Sequence, residues 1–548
     1  MPTEPTPAKA TPTEPTPTEP RTTRAADAPQ DQGAMPHRHV MLVYFGLLFA
    51  MLMATLDSSI VATALPTVVG DLGGLSSIGW VSAAYILASS AVMPLAGKLG
   101  DLLGRKQVFV VATVVFLAGS AACGAAQTMG QLIAFRVLQG VGAGGVMAAM
   151  FALTGDLFGP RERAKYQGYS AGVFALSAVG GPIAGGFFAD HVTWRWVFYV
   201  NLPIGAIALT LVALYLRSAR RPERPTIDYL GMLLLSGALV SFVLLSNWAG
   251  AKYAWGSAVI VGLAVGGVVL LAGWLVVERS AAEPVIPLGL FRDSTFDICN
   301  VVAFVGGLTG FGLVFFLPLY LQISAGASAT NSGLLLLPMM LGLMLASFGV
   351  GGAVAKSGRY KWYPVASMLV SGIAAFLMST MTADTSRFLS GLYMFLLGVG
   401  AGLSQQVVVV AVQNAAPPAD MGAATSTVTF SRMLGTSFGV SIFATVLTDR
   451  LTREIPKYVP GEAARGLIGS GGTSPQALRQ LPDDVRHGLA QAYAHALSPV
   501  FLIAGFVLVA GLVASVFLKD ITLEQRGWGA EEPPETPNAT ARPAPQSS

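Results

Sequence analysis

Gly97-Lys98-Leu99-Gly100-Asp101-Leu102-Leu103-Gly104-Arg105-Lys106 is the stretch on which the reading of this chain turns. It separates apolar runs at 79–97 and 108–126 and leaves almost no room for a loop between them. Its glycines permit a tight turn and close helix approach, while Asp101 and Arg105 can pair with each other's neighbours or with a helix end. Far along the chain Gly351, Gly358 and Arg359 repeat the spacing of Gly97, Gly104 and Arg105, with Ala355 in the place of Asp101. A turn that recurs in this way points to two related halves.

Composition fixes the setting of that turn. Of 548 residues, 53% are hydrophobic and only 11% charged, too apolar a balance for a soluble chain of this size. Segments long enough to cross about 30 Å of hydrocarbon fall near 41–67, 79–97, 108–126, 131–154, 167–189, 196–217, 229–247, 257–277, 297–321, 332–355, 364–383, 388–412, 425–447 and 497–518. This reading gives fourteen spans, and an even number puts both termini on one side. Most of the 33 Lys and Arg fall on the side of the amino terminus, whereas the short loops of the other face carry Arg195, Lys252 and Arg387. Both termini are therefore expected to be cytoplasmic, in a multi-pass protein of the plasma (inner) membrane.

The Pro/Thr/Glu-rich residues 1–39 and the polar residues 519–548 read as disordered tails, since they lack apolar side chains to offset the entropy of ordering. The long outer loop 448–496 reads as a solvated connector, with 476–497 able to form an amphipathic helix on the membrane or over the outer mouth. Cys123 and Cys299 lie at opposite faces and read as small packing residues. A net charge of +4 without a basic stripe sets nucleic acid aside as a partner. Four of five histidines lie in tails or the outer loop and His191 at a span end, so no clustered catalytic or metal-ligating set emerges and an enzyme is not expected. No Gly-rich Lys-Ser/Thr loop suggests ATP as a driver.

The turn at 97–106 resembles the signature of the major facilitator superfamily, Gly-x-Leu-x-Asp-x-x-Gly-Arg-Lys, with Leu102 at a position that is commonly basic. The resemblance implies that Gly97, Gly100, Asp101, Gly104, Arg105 and Lys106 form a conformational switch that latches two halves together on the cytoplasmic side. It also implies the major facilitator fold, an all-α membrane protein of two six-helix bundles plus two inserted helices. On that reading 40–217 is the first bundle, 218–296 the inserted helices and linker, and 297–518 the second bundle. This is the arrangement of the fourteen-span drug:proton antiporter branch.

The first span carries Leu56-Asp57-Ser58-Ser59-Ile60-Val61-Ala62-Thr63-Ala64-Leu65-Pro66. An ionised carboxylate left in lipid costs at least about 2.5 kcal/mol, so Asp57 should face a cavity or a cation. A carboxyl taken out of water favours its neutral form, which makes Asp57 the expected carrier of a proton. The stretch resembles the first-span signature of the antiporter branch, although Ser59 and Ala62 replace its usual Thr and Asn. The expected partner is Arg136, within Arg136-Val137-Leu138-Gln139-Gly140-Val141-Gly142-Ala143-Gly144, where Gly140 and Gly144 offer a small face to a neighbouring helix. That run resembles the superfamily's fourth-span signature, whose arginine is linked to proton transfer. A static pair that merely anchors two helices is the other reading.

In the fifth span, Gly180-Gly181-Pro182-Ile183-Ala184-Gly185-Gly186 favours a kinked, close-packed helix. Gly181, Pro182, Gly185 and Gly186 match a motif that marks antiporters in this superfamily, while Val173 and Ser177 stand where glycines are typical. The resemblance thus implies proton-driven export of amphipathic drugs or antibiotics by alternating access, from a monomer that needs no cofactor. A facilitator-type importer of a small solute is the alternative. Gln139, Gln322, Gln405, Gln406 and Asn414 are candidates for the substrate pathway, and Arg432 could face that pathway or snorkel away from it.

Overall fold

A computed structural model describes residues 35–72, 78–216, 227–249, 252–281, 283–314, 316–324, 334–459, 482–520 and 522–523. The expectations for 1–34 and 524–548, and those for 460–481 of the outer loop, fall outside these residues. The architecture below belongs to the compact unit Pro36–Ser548.

Its regular structure is helical: α1 (His37–Leu72), α2 (Ile78–Leu103), α3 (Arg105–Gly124), α4 (Met129–Leu157), α5 (Pro160–His191), α6 (Trp196–Tyr215) and α7 (Tyr229–Trp248). There follow α8 (Ala258–Glu278), α9 (Ser294–Ser324), α10 (Leu337–Ser357), α11 (Trp362–Met378), α12 (Arg387–Ala415), α13 (Met421–Tyr458) and α14 (Asp483–Val516). Among the described residues thirteen of these are long and apolar enough to cross a membrane, and α11, equally apolar, is shorter. In hydrocarbon a helix satisfies its own backbone groups, which is why apolar runs of this length adopt no other form. Their starts are set locally: Thr128, Asp228, Ser257 and Ser386 each accept a backbone N–H of the first turn. Large apolar side chains such as Leu214, Val276, Phe388 and Phe506 are left exposed, as a lipid-facing perimeter requires.

The first six helices pack around one another, α4 against α2 and α3, and α1 against α5 and α6. The last six repeat the pattern, α12 against α10 and α11, and α14 against α11 and α13. The two bundles meet along α5 with α10 and along α2 with α13, positions exchanged by a pseudo-two-fold axis. The inserted α7 leans on α2 and α13, and α8 packs on α7.

One end of the bundle collects the start of α1, the α2–α3 turn and the end of α6. There the His39 and Tyr215 rings lie 5.2 Å apart and the Tyr44 hydroxyl donates to the Tyr166 carbonyl at 2.6 Å. We term it the closed end, because contacts between the bundles concentrate there. At the far end each bundle keeps its own apolar cluster, one around Trp194 and Phe198, the other around Ile455 and Tyr493.

Two expectations are corrected. Residues 448–458 and 483–496 are not loop, because α13 and α14 run on past the expected span ends. Val485, Leu489, Ala492 and Tyr493 form a stripe at helical spacing that packs on Ile455 and Val459, so the connector is neither merely solvated there nor a separate surface helix. The start of the carboxy-terminal tail is likewise ordered. Leu523 is fully buried, its N–H donates to the Gly358 carbonyl at 2.8 Å, and its carbonyl accepts from Arg161 Nε at 2.9 Å.

Candidate functional site

Asp57, on α1, is 0% exposed, and both of its carboxylate oxygens are occupied. Oδ2 accepts from Arg136 Nη1 at 2.5 Å, while Oδ1 accepts from Gln139 Nε2 and from Asn201 Nδ2, each at 2.8 Å. Arg136 is 1% exposed; its Nε donates to the Val81 carbonyl at 3.0 Å and its guanidinium carbon stands 4.2 Å over the Tyr85 ring. Ser120 Oγ accepts from Gln139 and Asn201 at 3.0 Å each and donates to the Phe198 carbonyl. Four helices thus deliver one acid, one guanidinium and three neutral polar groups to a buried interior. A buried pair of this kind adds little stability as a whole, but removing one partner costs about 3–5 kcal/mol, because the other charge is left uncompensated.

Glycines make the approach possible. A Cβ at Gly140 or Gly144 would meet the backbone carbonyls of Tyr85 or Ser89 on α2, and one at Gly142 or Gly119 would fall between α3 and α4. The pair expected from the sequence is therefore in contact, whereas Asn201 and Ser120 were not anticipated. A hint was present in Asn201, an amide beside Pro203 in an otherwise apolar run. Gln139, expected to line a substrate pathway, belongs to this network.

At the closed end Asp101 performs a capping task for another bundle. Its carboxylate accepts the N–H groups of Gly422 and Ala423 at 3.1 and 3.0 Å, in the first turn of α13, where Asp420 makes no side-chain cap of its own. Arg105 donates to Asp101 at 2.8 Å, contacts Asp156, and reaches across to the Pro418 carbonyl at 3.3 Å. Gly97 abuts Gly422 so closely that a Cβ would collide with its carbonyl. Gly104 has φ 96°, a left-handed value that suits only glycine well, whereas a Cβ at Gly100 would meet only ordinary contacts. Lys106 donates to the carbonyls of Ala213 and Leu216 at the end of α6.

Lys98, whose role was not expected, is 3% exposed and lies 3.1 Å from Glu283 and 3.8 Å from Asp420, tying the α8–α9 linker into the latch. The echo is structural as well: Gly351 presses on the Ala164 carbonyl of α5, and Gly358 has φ 70°. With Ala355 in place of an acid, this second turn lacks a carboxylate toward α5, and the bundles are held there by the Gln167–Gln413 amide pair at 3.0 Å.

The α5 stretch from Gly180 to Gly186 lies inside one continuous helix. Gly181 and Gly185 face α1, where a Cβ would strike Ser59, Ile60 or Thr63, whereas Gly180 and Gly186 face open space. Pro182 sits within the same helix, between the two contact glycines. Among the remaining candidates, Gln322 falls in the π-helical turn Tyr320–Ser324 of α9 and Asn414 in the last turn of α12 at the closed end. Gln405 and Gln406 occupy the break between Arg387–Ser404 and Val407–Ala415, and Arg432 donates to the Gln405 carbonyl at 3.1 Å. No group of three or more His, Cys, Asp or Glu arranged to hold a metal occurs among the described residues.

Comparison with known proteins gives this arrangement a family. The sequence profile described as Major Facilitator Superfamily matches residues 47–440. An "Uncharacterized MFS-type transporter" of Mycobacterium tuberculosis is 40% identical over 88% of this chain and 70% of its own length. The Multidrug transporter protein MdtP of Bacillus subtilis is 35% identical over 88% and 94%, and Multidrug resistance protein 3 of the same organism 36% over 87% and 94%. In fold, the chain resembles the human organic anion transporter MFSD10 (TM-score 0.57, 16% identity, 86% of this chain and 99% of that one). It matches the proton:xylose symporter XylE similarly (TM-score 0.57, 12% identity, 89% and 98%). Two six-helix bundles joined by a latch at one end, the profile match and relatives of this identity together place the chain in the major facilitator superfamily of membrane transporters.

Proposed function

We propose that the protein exports amphipathic, drug-like molecules in exchange for protons, as a monomer of the fourteen-span antiporter branch in the plasma membrane with both termini cytoplasmic. The observation that carries this reading is Asp57, fully buried with both carboxylate oxygens engaged by Arg136, Gln139 and Asn201. A proton delivered to Asp57 cancels its charge and frees Arg136 to look for another partner. The pair thereby links protonation to the packing of α1 on α4. Loss of that proton to the other side restores the pair and resets the bundle.

The latch supplies the second element. Asp101 and Arg105 hold the first bundle to the start of α13 when the closed end is shut, and they separate when the cavity opens there. The Lys and Arg distribution supports a cytoplasmic closed end. The relatives' names, multidrug transporter and multidrug resistance protein, favour export of drug-like cargo over uptake of a solute.

The test is transport in proteoliposomes under an imposed proton gradient, with wild type and Asp57→Asn. Export is expected to follow the gradient in wild type, and to lose gradient dependence in the variant. Equal driven transport by both proteins would remove Asp57 from the proposal.

A further inference from the structure

We propose that a crevice inside the second bundle, built around Arg432, binds an acidic group, a carboxylate or its equivalent, carried by the amphipathic cargo. This rests on the export reading and narrows its cargo. The crevice opens between α9, α11, α12, α13 and α14. The first bundle's counterpart of this place, between α1, α3, α4 and α6, is where Asp57 and Arg136 are paired.

Arg432 lines the crevice and donates to the Gln405 carbonyl, but no acid among the described residues forms an ion pair with it. A guanidinium held among apolar helices without a counter-charge calls for an anion. Gln405, 7% exposed, also lines the crevice, and its Oε1 has no hydrogen-bond partner among the described groups. Turned by half a rotation, that amide would present its NH2 to the same anion. The backbone is irregular on both sides. α9 takes a π-helical turn at Gly307–Phe311, where Gly307 abuts the Arg432 carbonyl, and α12 breaks at Gln405 and Gln406. Such departures from α-helix favour sites over scaffolding. Val302, Met368, Val408 and Leu508 complete the wall and give an apolar surface for the rest of the cargo.

An anion could also arrive as free chloride, so the experiment separates the two sources. Full-length protein in detergent is titrated with the fluorescent pair dansyl-11-aminoundecanoic acid and its methyl ester, for wild type, Arg432→Gln, Arg432→Lys and Asp57→Asn, in chloride and in sulfate buffers. The acid is expected to bind about tenfold more weakly to Arg432→Gln, with partial recovery in Arg432→Lys, while ester binding stays the same. Equal loss of acid and ester binding in Arg432→Gln, with the Lys variant no better, overturns the proposal, as does unchanged acid binding. An Arg432-dependent effect of chloride on thermal stability, with acid binding indifferent to Arg432, would assign the site to an inorganic anion and likewise overturn it. Binding needs no gradient, so selective acid binding without driven export would defeat the export reading and leave the acid site standing.

Discussion

Arg136 and Arg432 are both guanidiniums set among apolar helices, one in each bundle, and their surroundings are opposites. Arg136 has a carboxylate, an amide, a carbonyl and an aromatic face within reach, and it is almost fully buried. Arg432 has a carbonyl, an unsatisfied amide oxygen and a crevice. In the first bundle Arg136 is balanced by Asp57, with Asn201 Oδ1 the buried atom of that network left without a partner among the described groups, so a proton arriving there must disturb an existing pair. In the second bundle no acid among the described residues pairs with Arg432, and in our proposal the cargo supplies that charge. Two related halves have divided the work in our reading: one handles the proton, the other the cargo.

The largest expected effect falls on the complete half. Asp57→Asn should reduce gradient-driven export by about 100-fold or more and destabilise the protein by roughly 3–5 kcal/mol, since Arg136 loses its counter-charge. Adding Arg136→Gln should recover most of the stability and none of the driven transport, which thermal unfolding and proteoliposome assays read separately. A double variant as unstable as the single one would mean that the pair is not the element at stake.

The latch offers the same contrast at a smaller scale. Gly97→Val and Gly351→Val each place a side chain on a facing backbone, Gly422 in one case and Ala164 in the other. Both should hold the closed end open, seen as increased labelling of cysteines introduced there, with transport falling about tenfold or more. Asp101→Asn removes a charged cap from α13 and should open that end by about 1 kcal/mol, a several-fold change in labelling. The converse change, Ala355→Asp, adds an acid facing the start of α5 and should close the end slightly, by a factor of about two. If it instead opens that end, the two turns are not equivalent.

Much of this was legible in the sequence, and the reasons differ by element. The turn at 97–106 could be read because glycine and charge between two apolar runs admit few structures. Asp57 and Arg136 stood out because charge inside a span is costly. Asn201 and Ser120 were hidden, since a single amide or hydroxyl in a helix usually bonds its own backbone, and only the folded helices bring these two to Asp57. Lys98 was hidden for a related reason, because its partners Glu283 and Asp420 come from distant segments. The extension of α14 to Asp483 escaped a span count that looks only for unbroken apolarity, while its stripe from Val485 to Tyr493 follows helical spacing. The π-turn of α9 at Gly307–Phe311 falls in the glycine-rich run 306–312, where the backbone is loosened, but its contact with Arg432 joins segments far apart in the chain.

The most direct test of the central claim is the number of protons released when a transported cargo binds the purified protein, followed with a pH indicator in weak buffer. With Asp57 as the exchanged carboxyl, cargo binding to wild type releases protons across the working pH range, and binding to Asp57→Asn releases none. Equal proton release by the two proteins at equal cargo occupancy would contradict the account.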